Sequence, residues 1–231
     1  LSNFHSGVPQ QFMVVFLVLI GFLTFSVTRF FERQTADLQP FFFWLPWVFL
    51  LLVPAGTMGL WAEERRAHTI ELLLTMPITM FQAIMGKFLA AWLFISLSVA
   101  FTFPIVITTS YLGDPDLGAV TGGYFGAIML AGAYVSVGML TSSMTRSQVI
   151  SFVLSLIVCL LLVLAGWDPV TGAFSRWAPG LAELVASFSF ITHFESIQRG
   201  VIDLRDVLYY LSVMAFMLAA THVVLNNRKS A

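Results

Sequence analysis

The sequence predicts an all-α polytopic membrane protein with six transmembrane helices. Of the 231 residues, 58% are hydrophobic, 15% are aromatic and only 10% are charged, with a mean hydropathy of +0.90. A soluble domain carries roughly 25% charged residues, and a chain of this length cannot hide such an apolar excess in its own interior. Apolar runs near the length of about 20 residues that a helix needs to cross a bilayer recur along the chain. Lipid must therefore solvate this protein.

Six segments qualify as transmembrane helices, and together they form a single transmembrane domain over residues 1–231. The first is short, and a signal peptide is its alternative; we expect a span because no basic region precedes it and no small-residue cleavage site follows it. Pro46 and Pro54 fall inside the second, where neighbouring groups in lipid can bind the freed carbonyls. The third is long enough for a span and an interfacial lead-in. The segments are residues 11–28, 41–61, 81–112, 119–141, 149–167 and 207–225.

The distribution of basic residues predicts the orientation. An even number of spans puts both termini on one side, and the side richer in Lys and Arg is cytoplasmic. The side of the termini carries Arg65, Arg66, Lys87, Arg146, Arg228 and Lys229, whereas the other carries Arg29, Arg33, Arg176, Arg199 and Arg205. This modest excess predicts that both termini are cytoplasmic. The acidic residues agree, with three on the first side and nine on the second, although they contribute little to topology.

The connection after the second span predicts an amphipathic helix on the cytoplasmic face. Residues 62–76 read AEERRAHTIELLLTM, with polar residues at the start and leucines at helical spacing behind them. Pairs Glu63–Arg66 and Glu64–His68 have the spacing that supports a first turn, and Pro77 would end the helix. A passive interfacial helix and a docking segment for a soluble partner are both compatible with this pattern.

The connection between the fifth and sixth spans, residues 168–206, is too long for a simple loop and too apolar for disorder. Its apolar part, residues 181–197, is too short to span the bilayer and is flanked by Pro179, Gly180 and Gly200. We expect one or two short helices that form an extracellular re-entrant element packed against protein.

Motifs for catalysis, nucleotide binding and metal binding are missing from the sequence. The only Gly-Lys pair, Gly86–Lys87, has Phe81 and Phe88 where a phosphate-binding loop needs glycine and a hydroxyl residue. His193 and Glu195 lack the second histidine of a zinc-protease helix, so we expect His193 to bind a helix end rather than a metal. A single cysteine, Cys159, cannot form an internal disulfide. We therefore expect no catalytic residues, no metal site and no cofactor in this chain, and its net charge of −1 offers no basic surface for nucleic acid.

The predicted spans also carry almost no ionisable groups, which argues against proton- or sodium-coupled transport. Gly118, Gly122 and Gly126 form consecutive Gly-x3-Gly steps, a spacing that lets helix backbones approach closely in lipid. Packing within the chain and contact with a second copy are both possible uses of these glycines.

Five segments resemble the type-2 ABC exporter permeases, and most closely their gliding-motility-associated branch. They occur in the order of that branch, and with the six-span outline the resemblance covers nearly the whole chain. The segments are LWAEERRAHTIELLLTMPIT (60–79), GKFLAAW (86–92), YLGDPDLGAVTGGYFG (111–126), GMLTSSMTRSQVISF (138–152) and THFESIQRGVIDLRDVLYYLS (192–212).

The resemblance implies a permease of the bacterial inner membrane that pairs with a second copy or a similar permease. It also implies two cytoplasmic ATPase subunits, which would hold the ATP and Mg²⁺, and an auxiliary membrane protein with a large outer domain. Residues 63–75 would be the coupling helix that enters a cleft of the ATPase. The residues implied as its contacts are Glu63, Glu64, Arg65, Arg66, Thr69 and Glu71.

In this family the second long connection is an extracellular re-entrant hairpin that caps the translocation path. The residues implied there are Phe188, His193, Glu195 and Arg199. We therefore expect the transmembrane subunit of an ATP-driven exporter, with no catalysis of its own. The alternative is a mechanotransmission or assembly subunit that moves an outer partner without transporting anything, since a hydrophobic re-entrant element suits a pore cap or a docking surface equally.

Overall fold

The fold was obtained as a computed structural model that describes residues 8–28, 37–67, 69, 79–175 and 179–227. Within these ranges the chain forms eleven α-helices and one π-helical turn, Leu23–Val27, and contains no strand. The predicted all-α class is therefore confirmed. The helices are α1 (Val8–Phe22), α2 (Gln39–Thr57), α3 (Gly59–Arg66), α4 (Met80–Ala100), α5 (Phe103–Leu112), α6 (Leu117–Met144), α7 (Gln148–Leu164), α8 (Asp168–Ser175), α9 (Pro179–Ser187), α10 (Phe190–Gln198) and α11 (Leu204–Asn227).

Five helical segments of the described chain are long and apolar enough to cross a membrane, and they coincide with five of the six predicted spans. The remaining predicted span, 149–167, forms α7, which has 17 residues and is therefore about 26 Å long. The five segments are Gln10–Val27, Gln39–Arg66, Met80–Leu112, Leu117–Met144 and Leu204–Asn227.

The third predicted span divides into α4 and α5. Pro104 lies in the first turn of α5, where it lacks an N–H to continue the helix and its ring would clash with the carbonyl of Ala100. A turn at Phe101 and Thr102 separates the two helices, and the Thr102 hydroxyl lies 2.9 Å from the Tyr124 hydroxyl of α6. Pro46 and Pro54, in contrast, leave α2 unbroken.

Helix α6 is the centre of the bundle and contacts α2, α3, α4, α7, α10 and α11. Close approach is possible because small residues face its neighbours. A Cβ atom added to Gly123 would lie 2.3 Å from the Phe42 ring, and one added to Gly138 would lie 2.0 Å from the Thr57 hydroxyl. The neighbouring helices thus occupy space that any larger side chain would fill.

The long connection contains α8, α9 and α10, so its apolar part forms two short helices as expected. Ser189 caps the N-terminus of α10, and its hydroxyl accepts a hydrogen bond from the Ile191 N–H at 3.1 Å. Gly200 ends the segment with a φ of +84°, a conformation that glycine adopts without a steric penalty. Phe190, Phe194 and Ile197 are buried, so α10 belongs to the core of the bundle.

Substitution Gly122→Ala should destabilise the protein. The added Cβ would lie 2.5 Å from the Ile197 carbonyl oxygen, a backbone atom that cannot rotate away. Overpacking of this kind costs about 1–3 kcal/mol. The measurement is the midpoint of thermal unfolding in detergent. Unfolding is monitored by the reaction of a fluorogenic dye with the thiol of Cys159, which is fully buried in the folded protein.

Gly86→Ala is the matched control, because a Cβ added at that helical glycine meets no atom within 4 Å. Its midpoint should equal or exceed that of the unmodified protein, since alanine favours helix over glycine by up to about 1 kcal/mol. Equal midpoints for Gly122→Ala and the unmodified protein would contradict the close packing of α6 on α10.

Candidate functional site

The predicted coupling segment begins with α3, which follows α2 after the single residue Met58. No side chain at the start of α3 caps its free N–H groups. Ser142 of α6 supplies that cap from another helix: its hydroxyl accepts hydrogen bonds from the Trp61 and Ala62 N–H groups, each at 3.0 Å. The same hydroxyl donates to the Met58 carbonyl at 2.8 Å. The first turn of α3 is thereby fixed to α6.

Lys87 of α4 fixes the other side of α3. Its Nζ lies 2.5 Å from Oε1 of Glu64 and 4.1 Å from the centre of the Trp61 ring, and it also donates to the Leu60 carbonyl. A cation over an indole face is attracted by the negative charge of the ring surface. Arg65 adds a bond to α6, since its Nη1 donates to the Ser143 carbonyl at 2.5 Å. α3 is consequently attached to both α4 and α6.

The six residues predicted to contact an ATPase therefore differ in accessibility. Glu63, Arg66 and Thr69 are exposed, whereas Glu64 and Arg65 are partly buried and bind other helices of the same chain. Glu71 lies outside the described residues.

The helix predicted over residues 62–76 is not continuous. α3 ends at Arg66, the Ala67 N–H donates to the Glu63 carbonyl at 2.9 Å, and Thr69 is not helical. The Thr69 N–H instead donates to the Glu64 carbonyl at 3.0 Å, which closes the helix end. The rest of the predicted segment, 70–76, lies outside the described residues, as does His68, the predicted partner of Glu64.

At the opposite end of the bundle, two of the three Gly-x3-Gly glycines pack within the chain. A Cβ added to Gly122 would meet the Ile197 carbonyl, and one added to Gly126 would lie 3.1 Å from Cγ2 of Ile197 and 3.3 Å from the Phe194 ring. Gly118 is exposed and precedes this contact. Gly122 and Gly126 thus allow the close contact of α6 with α10. Packing within the chain is one of the two uses that the sequence left possible for these glycines.

His193 holds α10 to its neighbours through both ring nitrogens. Nδ1 lies 2.6 Å from Oδ1 of Asp206 on α11, and Nε2 lies 3.0 Å from the carbonyl of Ser187, the last residue of α9. The imidazole also stacks on the Tyr209 ring, with 3.9 Å between centroids and 19° between planes. Each ring nitrogen of His193 therefore has an oxygen of a neighbouring helix within hydrogen-bonding distance.

The contact with Ser187 confirms that His193 binds a helix end. Within the described ranges, no group of three or more His, Cys, Asp or Glu side chains is placed to hold a metal ion. Asp206 was missed by sequence reasoning, because thirteen positions separate it from His193 and no helical periodicity relates them.

The other predicted residues of this end are at the surface. The Phe188 side chain is exposed, while its carbonyl accepts a hydrogen bond from the Tyr209 hydroxyl at 2.5 Å. Glu195 and Arg199 are exposed on α10 and its C-terminal turn, and both line a cavity. The structure therefore brings Glu195 and Arg199 to one surface and buries His193 behind it.

Comparison with known proteins gives one family. The sequence model of a family described as "ABC-2 family transporter protein" matches residues 9–226 of this chain. No curated protein matches the chain significantly.

Substitution Ser142→Ala should weaken the attachment of α3, because it leaves two buried N–H groups without an acceptor. A buried unsatisfied polar group costs about 1–3 kcal/mol. We expect a lower midpoint for exposure of Cys159 and faster tryptic cleavage after Arg65, which is partly buried in the intact protein.

Ser143→Ala is the matched control. Ser143 is equally buried, but its hydroxyl donates only to the Leu140 carbonyl of its own helix, and Arg65 binds its backbone oxygen. Its midpoint and cleavage rate should stay close to those of the unmodified protein. Identical behaviour of the two alanine variants would show that the Ser142 cap does not hold α3.

Proposed function

We propose that this chain, which belongs to the ABC-2 family of transporter proteins, is the membrane-spanning permease subunit of an ATP-driven exporter. The family match covers residues 9–226, nearly the whole chain, and the chain is an integral membrane protein. The ATP and Mg²⁺ belong to a separate cytoplasmic ATPase in this proposal, and α3 with the residues that follow it is the docking segment. The lipid bilayer and a second permease copy, or a similar permease, complete the assembly.

The attachment of α3 to two other helices is the observation that supports this proposal most. Glu63 and Arg66 present opposite charges to solvent, while Lys87, Ser142 and Arg65 fix the helix beneath them. A displacement imposed on α3 by a partner therefore passes to α4 and α6 directly. Because α6 contacts most of the bundle, a motion of this short helix would reach its far end.

We further propose that α7 is the sixth span and that both termini are cytoplasmic. α7 is about 26 Å long, close to the hydrocarbon thickness of about 30 Å, and a turn at residues 165–166 extends it. An even number of spans places α3 on the side of the termini. The short helices α8, α9 and α10 then lie on the outer side of the bacterial inner membrane.

One observation favours the second function, transmission of force to an outer partner of the gliding-motility type. The outer helix α10 is attached to α6 at Gly122 and to α11 through the His193–Asp206 pair. It would therefore move with the bundle rather than swing independently. Flux into vesicles supports the exporter, whereas an ATP-dependent change at α10 without flux of any cargo supports force transmission.

The proposed topology predicts which positions an impermeant thiol reagent can reach. Asp114 and Arg146 are exposed residues at the two ends of α6, and Arg176 lies in the second long connection. In a Cys159→Ser background, single cysteines at 114 and 176 should react in intact cells, whereas one at 146 should react only after the cells are opened. Labelling at 146 from outside would reverse the orientation.

Charge reversal on the exposed face of α3 should release the ATPase. Glu63→Lys combined with Arg66→Glu inverts both exposed charges and leaves Glu64 and Arg65, which bind α4 and α6, unchanged. Like charges juxtaposed at an interface can cost several kcal/mol, a loss of roughly a hundredfold or more in affinity. The measurement is recovery of the cognate ATPase on the purified permease.

Arg205→Glu is the control, an exposed charge reversal near the start of α11 at the opposite end of the bundle. It should capture the ATPase at the normal level. The α3 variant should insert and show an unchanged midpoint for Cys159 exposure. Normal capture by that variant would mean that α3 is a passive interfacial helix.

A further inference from the structure

A charged side chain lies within one of the apolar segments that are long enough to cross a membrane. Lys87 belongs to the segment Met80–Leu112, where the buried Phe88 follows it, and its own side chain is only 23% exposed. Ionisable residues within membrane-crossing segments are costly, so each one calls for a functional explanation with a named partner. The groups that the ammonium of Lys87 contacts supply that explanation.

The three groups described at this ammonium all belong to α3. They are the Leu60 carbonyl, the Trp61 ring, whose centre is 4.1 Å from Nζ, and the Glu64 carboxylate at 2.5 Å. The three residues lie within about one turn of the helix. A single side chain of α4 therefore holds the backbone, an aromatic face and a charge of α3, and moving α3 away from α4 would break all three contacts.

Lys87 matters because packing between α3 and α4 is sparse within the described chain. Helix α3 packs directly against α6 and α7, and its first turn is bonded to Ser142 of α6. Helix α4 packs mainly against α6 and α11. The long side chain of Lys87 thus bridges α3 and α4, and its removal would disconnect α4 from α3 while leaving α3 attached to α6.

The contacts of α4 beyond Lys87 show where its movement would arrive. Phe88 stacks on Trp92, one turn further along α4, with 5.6 Å between ring centroids. The Trp92 Nε1–H donates to the Ile128 carbonyl of α6 at 2.7 Å. Ile128 lies near the middle of α6, about 21 Å along the helix from Ser142. Helix α3 therefore reaches the central helix at two separate points, directly at Ser142 and through α4 at Ile128.

We propose that Lys87 is a positioning residue of the transporter, which makes α4 follow α3 when the ATPase docks. This inference rests on the docking function proposed for α3. With Lys87 in place, a displacement of α3 moves α4 and, through Trp92, the middle of α6. Without Lys87, the same displacement acts only on the C-terminal end of α6. Docking then still occurs, but α4 does not respond to it.

The test uses the full chain in lipid nanodiscs with its cognate ATPase and ATP. Single cysteines that carry an environment-sensitive fluorophore replace Leu93, which is 64% exposed on α4, or Arg146, which is exposed just after α6. Both are made in a Cys159→Ser background. In the otherwise unmodified chain, docking and ATP should change the fluorescence at each position. Recovery of the ATPase on the purified permease measures docking separately.

Lys87→Met combined with Glu64→Gln removes the ion pair without leaving a partly buried charge unpaired. This double variant should capture the ATPase at the normal level and keep the fluorescence change at position 146, but it should lose the change at position 93. A general structural defect would instead affect both positions. It would also lower the midpoint of Cys159 exposure, which is measured on the double variant with Cys159 retained.

Two single variants decide the question even if the double variant does not fold. Lys87→Arg should keep the change at position 93, since a guanidinium also pairs with a carboxylate and lies over an indole face. Glu64→Gln leaves Lys87 its contacts with Leu60 and Trp61, so it should give a reduced change there. Gly86→Ala is the matched control on the same helix: its Cβ meets no atom within 4 Å, and it should behave as the unmodified chain.

A normal change at position 93 in the double variant, or in Glu64→Gln, would overturn the proposal and leave Lys87 a purely structural contact. Loss of ATPase capture by the double variant would overturn it as well, because Lys87 and Glu64 would then serve docking itself. Failure of the unmodified chain to capture the ATPase is a distinct result. It would refute the docking function of α3 and remove the premise on which the role of Lys87 rests.

Discussion

The rest of this fold depends on hydrogen bonds between the central helix α6 and its neighbours. These bonds form where a neighbouring helix departs from regular geometry. In lipid no water is available to bind a free backbone group, so the protein must supply each partner itself. Ser142 caps α3 at the α2–α3 junction, Tyr134 donates to the Pro46 carbonyl at 2.9 Å inside α2, and Tyr124 meets Thr102 at the break between α4 and α5. All three side chains belong to α6. The bundle thus tolerates these irregularities because side chains of α6 form hydrogen bonds at each of them.

The same helix joins the two ends of the molecule. Its C-terminal part holds α3, and its N-terminal part receives α10 at Gly122, where the backbones nearly touch. Small residues along α6 make both contacts possible, since any larger side chain would separate the helices. Large residues at these positions would not merely loosen the packing; they would also remove the polar partners that α6 provides.

Hydropathy and motif order predicted the helical class, six spans of which five coincide with long apolar helices, and the ABC-2 family, because lipid solvation and segment order are properties of the linear sequence. The sequence did not predict which side chains of different helices pair with each other. Glu64 binds Lys87, which lies 23 positions later on α4, while its predicted partner His68 lies outside the described residues. His193 and Asp206 likewise meet only because α10 folds back on α11. Periodicity defines a face of one helix but not the rotation of the next helix against it.

Helices α2 and α3 follow each other through the single residue Met58, and the run from Gln39 to Arg66 has 28 residues and is about 42 Å long. Asp37, which lines the same cavity as Glu195 and Arg199, precedes one end of this rod, and the exposed charges of α3 lie at the other. A rod of that length acts as a lever: tilting it by about 5° around its middle moves each end by about 2 Å in opposite directions. An event at Arg66 would therefore change the width of the cavity with no chemical signal passing through the membrane.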